Sequence, residues 1–471
     1  MKINAASRLL ASQKLATHDG RLLLLGFGAV GQTMLPMLLR HIDLNPSKIT
    51  VLDKVERPEF APYTGIHYVV REIVEDNMGS TLESLLAEGD YLVNLSLNID
   101  GIAIVEWCLS HNVMYIDTSI ERWATSPDET IPDLAERTLY TEHQEIREMA
   151  SKYPGHATCV VTHGANPGLV SHFTKAALLK IAKDTGLSTE VPQNQMGWAA
   201  LAEATDTKVI QIAERDTQIL KVPKRVHEFV NTWSCEGFWA EGRAPAELGW
   251  GSHEPQEVGG LTVQGNSAYL DTPGVATLVK SWVPLGGTYN GFLIQHSEAV
   301  TISEYLSTDS YRPTVYYAYQ PTDAALASIH EMRGQELWMH RNTRIAKNSI
   351  LSGIDELGVL LLGHGKNALW YGSQLDIEEA RSLVPGQNAT TVQVCASLLG
   401  AIVWTLENPR MGYCEPEDLP FDFVLSIAKP YLGPMVAYYS DWSPLDNRGH
   451  LYKKDFDEDN EWAFTNFLVG K

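Results

Sequence analysis

A chain of 471 residues, 44% hydrophobic and 20% charged, carries enough apolar side chain for a sizeable core and enough length for two or three globular units. Its 36 Lys and Arg stand against 58 Asp and Glu, and the formal net charge of −22 repels nucleic acid phosphates and anionic membranes while favouring cationic ligands. The five cysteines (Cys108, Cys159, Cys235, Cys395, Cys414) are scattered with no CxxC pair, which excludes a disulfide framework or a zinc knuckle and makes them reduced, mostly buried thiols.

Met1 to Asp19 mix polar and apolar residues with no leader-like apolar core. No later segment offers the roughly 20 apolar residues that span a bilayer, so a cytoplasmic protein with no membrane partner is expected. Residues 22–25 are four leucines, short and apolar as a central parallel strand covered on both faces should be. The glycine motif Gly26-Phe27-Gly28-Ala29-Val30-Gly31 follows at once and opens a helix over 32–40. Gly26, Gly28 and Gly31 allow a tight turn, close approach to a pyrophosphate and close helix packing, with Ala29 and Val30 at the helix N-terminus beside the phosphates.

The next strand, 48–52, ends in Asp53, placed to accept the adenine-ribose hydroxyls. An acid there repels a 2′-phosphate and favours NAD over NADP, although Lys54 and Arg57 stand close by. Strands at 67–70, 91–95, 114–117 and 158–162 alternate with helices at 80–88, 102–110 and 142–152, giving six strands of a Rossmann-type doubly wound parallel sheet. Ligands bind beyond the carboxyl ends of such strands. That places Asn94, Leu95, Ser96, Asp117, Thr118, Ser119, Ala165, Asn166 and Pro167 around the nicotinamide half. The same residue types also cap helices and make turns, so the group carries more weight than any member.

After a helix over 169–180 the character changes to short β-like stretches at 208–213, 218–220, 229–233, 264–269, 291–294 and 314–319. These point to a second, α+β domain with a mixed sheet. Residues 388–407 form a strong helix with Asn388 as N-cap and Asn408-Pro409 as its stop. It is apolar on most faces, so it is buried, either against the first domain or at a subunit contact. The acidic run 455–459 is read as solvated surface. The expected domains are therefore 1–165 for NAD, with a return around 388–430, then 166–387 for substrate, and a C-terminal extension over 431–471. His111, His143, His156, His163 and His172 show no metal-ligand spacing, so no metal is expected.

The segments LLLLGFGAVGQ, YIDTS, VTHGANPGLVSHF, IQIAERDTQ, NTWSCEGF and IQHSEAVTIS, in this order, resemble the bacterial homospermidine synthase family within the larger saccharopine-dehydrogenase-like group. The resemblance runs over nearly the whole chain, and AERDTQ, NTWSCEGF and HSEA are its specific parts. It implies conversion of two putrescine molecules to homospermidine and ammonia, with spermidine and related polyamines as further partners. It also implies NAD as a tightly bound prosthetic group and a homodimer formed through the second domain.

Such chemistry has physical demands. Hydride leaves the carbon beside an amine that must be neutral, although an alkyl ammonium titrates near about 10.4, so a base and local desolvation are required. The remote ammonium must stay charged and anchored. The resemblance assigns Glu214, Trp233, Glu241, His296 and Glu298 to this pocket, with Asn166 beside the cofactor. Each has a plainer reading. Tryptophan more often fills a core, glutamate more often faces solvent, and a lone histidine is often structural. His296 and Glu298, two apart, share a face if they lie on a strand.

Two rivals remain: a saccharopine- or carboxynorspermidine-dehydrogenase-like reductase with net coenzyme turnover, and a dinucleotide-binding protein without turnover.

Overall fold

In the computed structural model, which describes residues 13–123, 133–187, 190–255, 258–449 and 456–470, the chain forms two units. The first comprises Met1–Ile131, Glu142–Leu169 and Ala380–Leu432; the second comprises Pro132–Thr141, Val170–Glu379 and Gly433–Lys471.

In the first unit the leucine run forms β1 (Leu22–Leu25), buried throughout because parallel strands flank it on both sides. Its sheet contains β2 (Ile49–Asp53), β3 (His67–Val70), β4 (Tyr91–Asn94), β5 (Met114–Asp117) and β6 (Cys159–Val160), all parallel. The order is β6-β5-β4-β1-β2-β3, with the short strand Tyr413–Cys414 added parallel to β6 as the seventh. The order reverses between β1 and β4, which opens the crevice at their carboxyl ends where such sheets bind ligands. Helix Ala29–His41 follows β1, Glu75–Leu85 precedes β4, and Gly101–His111 joins β4 to β5. Asp100 starts the last of these by accepting from the Ala103 N–H, and Asn112 ends it in the left-handed conformation.

The apolar segment forms helix Ala389–Glu407, with Asn388 Oδ1 accepting from Thr391 N at 2.9 Å. It packs on helices Ala29–His41 and Phe421–Ala428, which decides between the two destinations left open by its sequence. By length and composition it is apolar enough to cross a bilayer, contrary to the expectation that no segment is, but 89% of that window is buried in the protein. Its burial inside the unit accounts for its composition.

The second unit is built on a ten-stranded mixed sheet. Its strands are β7 (Val209–Asp216), β8 (Pro245–Gly249), β9 (Leu261–Gln264), β10 (Ser267–Pro273), β11 (Leu278–Val283), β12 (Gly287–Ile294), β13 (Thr314–Gln320), β14 (Ile354–His364), β15 (Asn367–Asp376) and β16 (Met435–Ser440). The main path runs β9-β10-β8-β13-β7-β14-β15-β16, and β12 joins β11 to β13. Only β7 and β13 pair in parallel; the other neighbours are antiparallel.

Alternation along β7 sends Val209 and Ala213 into a core with Tyr316, Ala318, Leu360 and Trp370, and leaves Glu214 and Asp216 on the other face. The stretch 264–269 is a hairpin rather than one strand, because Gly265, at φ +59°, turns the chain between β9 and β10. The chain from Gly433 onward is no appendage to this unit: β16 pairs with β15, and Trp442, Phe464 and Phe467 are buried in the same core. In the acidic run Asp457, Glu458 and Asp459 are exposed, while Asp455 lies outside the described residues, as do residues 1–12 of the N-terminal stretch.

Candidate active site

The glycine turn of the first unit is shaped by what its glycines omit. Gly26 has φ +91°, donates to Leu52 O at 2.8 Å, and a Cβ there would lie 2.6 Å from Leu95 O. A Cβ on Gly31 would lie 2.3 Å from Gly26 O, so both glycines are required by backbone packing. Gly28 is different: nothing lies within 4 Å of its missing Cβ, and it precedes helix Ala29–His41, whose N-terminus has no side-chain cap. Uncapped N–H groups at Ala29 and Val30, open space at Gly28 and the positive end of a helix dipole fit a pyrophosphate. Asp53 at the end of β2 is buried; its Oδ2 accepts from Phe27 N at 2.7 Å and its Oδ1 from Val55 N at 3.0 Å. Each oxygen keeps capacity for a ribose hydroxyl. The residues present therefore fit a nicotinamide dinucleotide.

At the ends of β4 and β5 the side chains divide into two groups. Asn94 Oδ1 accepts from Ser96 N and Oγ at 3.2 and 2.6 Å, and its Nδ2 donates to Tyr115 OH at 3.0 Å. Tyr115 OH donates to Asp117 Oδ2 at 2.7 Å, and Asp117 Oδ1 accepts from Thr162 N at 2.5 Å. Asp117 is 1% exposed, and burial pushes its carboxyl up to about 7. Asn94 and Asp117 thus brace the strand ends with their side chains. Leu95, Ser96, Thr118 and Ser119 are half-buried at the same edge, where Ser119 Oγ donates to Glu121 Oε1 at 3.0 Å. The next turn is held by His163 N to Asp117 O at 2.9 Å and Gly164 N to Pro167 O at 2.7 Å. It buries Ala165 and Pro167 and leaves Asn166 half-buried.

In the second unit, parallel pairing sets Tyr319 of β13 opposite Glu214 of β7, and antiparallel pairing sets Leu357 and Asp355 of β14 opposite Glu214 and Asp216. Tyr317 and Tyr319 lie on one face of β13, and Tyr317 OH donates to Glu214 Oε2 at 2.7 Å. Arg215 takes the opposite face, 4.0 Å from Glu356. Ser234 caps helix Cys235–Arg243 through the Gly237 N–H, and this helix carries Glu241. Trp233 lies just before that cap, beyond the end of strand Glu228–Asn231 rather than within it.

His296 and Glu298 do not share a strand. β12 ends at Ile294, His296 is the N-cap of helix Ser297–Tyr305, and Glu298 stands in its first turn. The two still meet, His296 Nδ1 lying 3.4 Å from Glu298 Oε1, while Nε2 is 3.2 Å from Glu241 Oε2. Burial alone would lower the His296 pKa, but Glu298 and Glu241 overcome it and push it up to about 10. Glu298 is fully buried, and neither of its oxygens has a hydrogen bond among the described residues. A buried carboxylate without hydrogen bonds is costly, and the flanking imidazolium is the cation that offsets that cost.

Rings continue the cluster. His296 lies 4.4 Å from Tyr317, Tyr317 stacks on Tyr319 at 5.1 Å, Tyr319 meets Phe238 at 5.4 Å, and Phe238 meets Trp233 at 5.6 Å, centroid to centroid. Glu214, Trp233, Glu241, His296 and Glu298 are therefore one acidic and aromatic group, whereas Asn166 belongs to the first unit. Tyr317, Tyr319, Asp216 and Asp355 were not singled out from sequence; for the two tyrosines the alternation in TVYYAYQ was the signal, and the two aspartates are brought in by the pairing of their strands. Among the described residues no cluster of His, Cys, Asp and Glu is arranged to hold a metal.

Residues 22–160 match the family model of the saccharopine dehydrogenase NADP binding domain, and residues 164–440 match that of the saccharopine dehydrogenase C-terminal domain. The homospermidine synthase of Mesorhizobium japonicum is 41% identical over 469 residues, covering 96% of this chain and 96% of that protein. That of Blastochloris viridis is 41% identical over 467 residues, covering 96% and 98%. The crystal structure of the homospermidine synthase from Legionella pneumophila in complex with NAD is similar at a TM-score of 0.89 and 39% identity, covering 96% of this chain and 98% of that one.

Proposed function

The chain belongs to the homospermidine synthase family, and we propose on that premise that it joins two putrescine molecules into homospermidine and ammonia on a retained NAD. The observation that carries the reading is the group Glu241–His296–Glu298, with His296 and Glu298 buried and Glu241 half-buried, beside Tyr317 and Glu214, an anionic and aromatic lining that suits an alkyl ammonium. The first unit binds the dinucleotide through Gly28, the uncapped helix N-terminus and Asp53. When bound, NAD supplies a hydride acceptor that becomes a hydride donor, so putrescine passes through an imine, a second putrescine displaces ammonia, and the new imine is reduced.

The chain's own residues manage charge and position. His296 holds a proton because two carboxylates flank it. A diamine ammonium arriving at Glu241 and Glu298 takes over part of their charge and loosens that proton, which passes from Nε2 to the partly exposed Glu241 carboxylate and on to solvent. Imidazole Nε2 is then free to accept a proton from the amine that must become neutral. Glu214, held by the Tyr317 hydroxyl, keeps the remote ammonium charged and anchored. The half-buried Trp233 ring offers its face to the cation that develops as hydride leaves. Asn166, on its braced turn in the first unit, serves the cofactor. Spermidine fits as a further aminobutyl donor, and the assembly is a cytoplasmic homodimer.

Calorimetric titration with putrescine, followed by product analysis, tests the reading. Binding, homospermidine and ammonia without net NADH are expected. Steady NADH accumulation would identify a dehydrogenase with coenzyme turnover, and binding of NAD without any product would leave a dinucleotide-binding protein.

A further inference from the structure

Asp53 does not act alone at the ribose end of the dinucleotide site. Arg57 Nε lies 3.5 Å from Asp53 Oδ2, yet that nitrogen is buried and has no hydrogen-bond acceptor among the described residues. The guanidinium is thus drawn to the carboxylate by charge without being satisfied by it.

The backbone at Arg57 is held by its own turn, independently of Asp53. Its carbonyl accepts from Phe60 N at 3.0 Å, closing the short turn Pro58–Phe60, and Pro58 restricts the residue before it to extended backbone. The turn is weighted down by rings: Phe60 packs edge-on against buried Phe27 of the glycine motif at 5.6 Å and lies 4.6 Å from Tyr68. Tyr68 OH donates to Val55 O at 2.7 Å, fixing the intervening chain. Burial, and then Asp53, push the Tyr68 phenol up to about 12, so it stays a neutral donor here. With Asp53 neutralised, the backbone of the turn would keep its position, and the guanidinium would lose the one ion-pair partner it has among the described residues.

We propose that Arg57 is a latent ligand for a ribose 2′-phosphate, and that the Asp53–Arg57 pair, rather than Asp53 alone, sets this chain's choice between NAD and its phosphorylated form. The carboxylate both repels the phosphate dianion and occupies the guanidinium beside it. The choice is therefore reversible by a single substitution that spares the turn.

The inference rests on the dinucleotide site of the proposed function, so the probes are half-ligands that report that site without turnover. Protein stripped of nucleotide is titrated calorimetrically with AMP and with adenosine 2′,5′-bisphosphate, for wild type, Asp53→Asn, Asp53→Ser and Asp53→Asn with Arg57→Ala. Wild type should prefer AMP. Asp53→Asn keeps an oxygen for the Phe27 N–H, and it should weaken AMP while strengthening the bisphosphate by about tenfold or more, the scale of one charge-assisted contact. The double variant should lose that gain. A gain that survives Arg57→Ala overturns the inference, as does its absence in both Asp53→Asn and Asp53→Ser while AMP binding remains measurable. Wild-type protein that binds neither nucleotide would instead overturn the dinucleotide site itself. Asp53→Ser serves as the second variant where Asp53→Asn fails to fold, judged by its thermal unfolding.

Discussion

At the scale of single residues the site is a problem in placing charge. His296 carries a proton in a buried environment only because Glu298 and Glu241 flank it, and its pKa is raised from 6.5 to about 10. The linkage sign follows: a histidine protonated more tightly when folded contributes stability that is fully present below about 6.5 and is lost as pH rises through about 10. The melting temperature of wild type relative to a His296→Gln variant should therefore fall across that window; a difference independent of pH would remove the charged imidazole from the account.

Trp233 makes a different kind of contribution. If its face meets a developing cation, Trp233→Leu should lower the rate by roughly tenfold while thermal unfolding changes little, since a cation–π contact amounts to about 0.5–2 kcal/mol. Unchanged kinetics would return Trp233 to a packing role. The two residues were legible in the same way. Both were picked out by motif resemblance, but the register that brings Tyr317 and Tyr319 between them comes from a parallel pairing of strands about a hundred positions apart, which local pattern cannot report. Asp117 shows the converse: a strand-end acid reads as a ligand contact, and only the fold reveals that Tyr115 and Thr162 occupy its carboxylate.

At the scale of elements, strong periodic signals translated directly into structure and weak ones did not. The leucine strand, the glycine turn and the capped Ala389–Glu407 helix are specified by runs of residues that agree with one another. Tyr413–Cys414 has only two residues and owes its strand character to pairing with β6, so nothing local announces it. His296 and Glu298 were misplaced for a related reason. QHSEA continues an apolar strand without a Gly or Pro break, yet His296 begins a helix, and the first-turn Glu298 gains the favourable end of its dipole.

The glycine turn offers the clearest test at this level. Gly31→Ala places a Cβ 2.3 Å from Gly26 O, backbone that cannot yield cheaply. Destabilisation of about 1–3 kcal/mol and weaker nucleotide binding are expected, measured by denaturant unfolding and by titration with AMP. Unaltered stability and affinity would mean that the turn tolerates relaxation and is not shaped by that contact.

At the scale of the whole molecule, acidity and fold serve one purpose. The net charge of −22 said little by itself, since many soluble proteins are acidic. It gains meaning beside a group in which buried Glu214 and Glu298 and half-buried Glu241 are gathered by one sheet face and two helices, while Arg215, next to Glu214 on β7, is turned to the other side. The first unit's sheet was legible because six of its seven strands announce themselves, Tyr413–Cys414 being the exception. The second unit's sheet was legible only in class, because its strands pair with distant partners and its last strand comes from a tail that reads as an extension.

The central claim is that one coenzyme molecule takes hydride from a diamine and returns it to the product without leaving. Putrescine deuterated at both carbons next to nitrogen, turned over in the presence of excess unlabelled NADH and analysed by mass spectrometry, tests this directly. Homospermidine should keep the full complement of deuterium, because the deuteride removed in the first half-reaction is the one returned in the second. Product consistently one deuterium short would show exchange with the free coenzyme pool and contradict the claim.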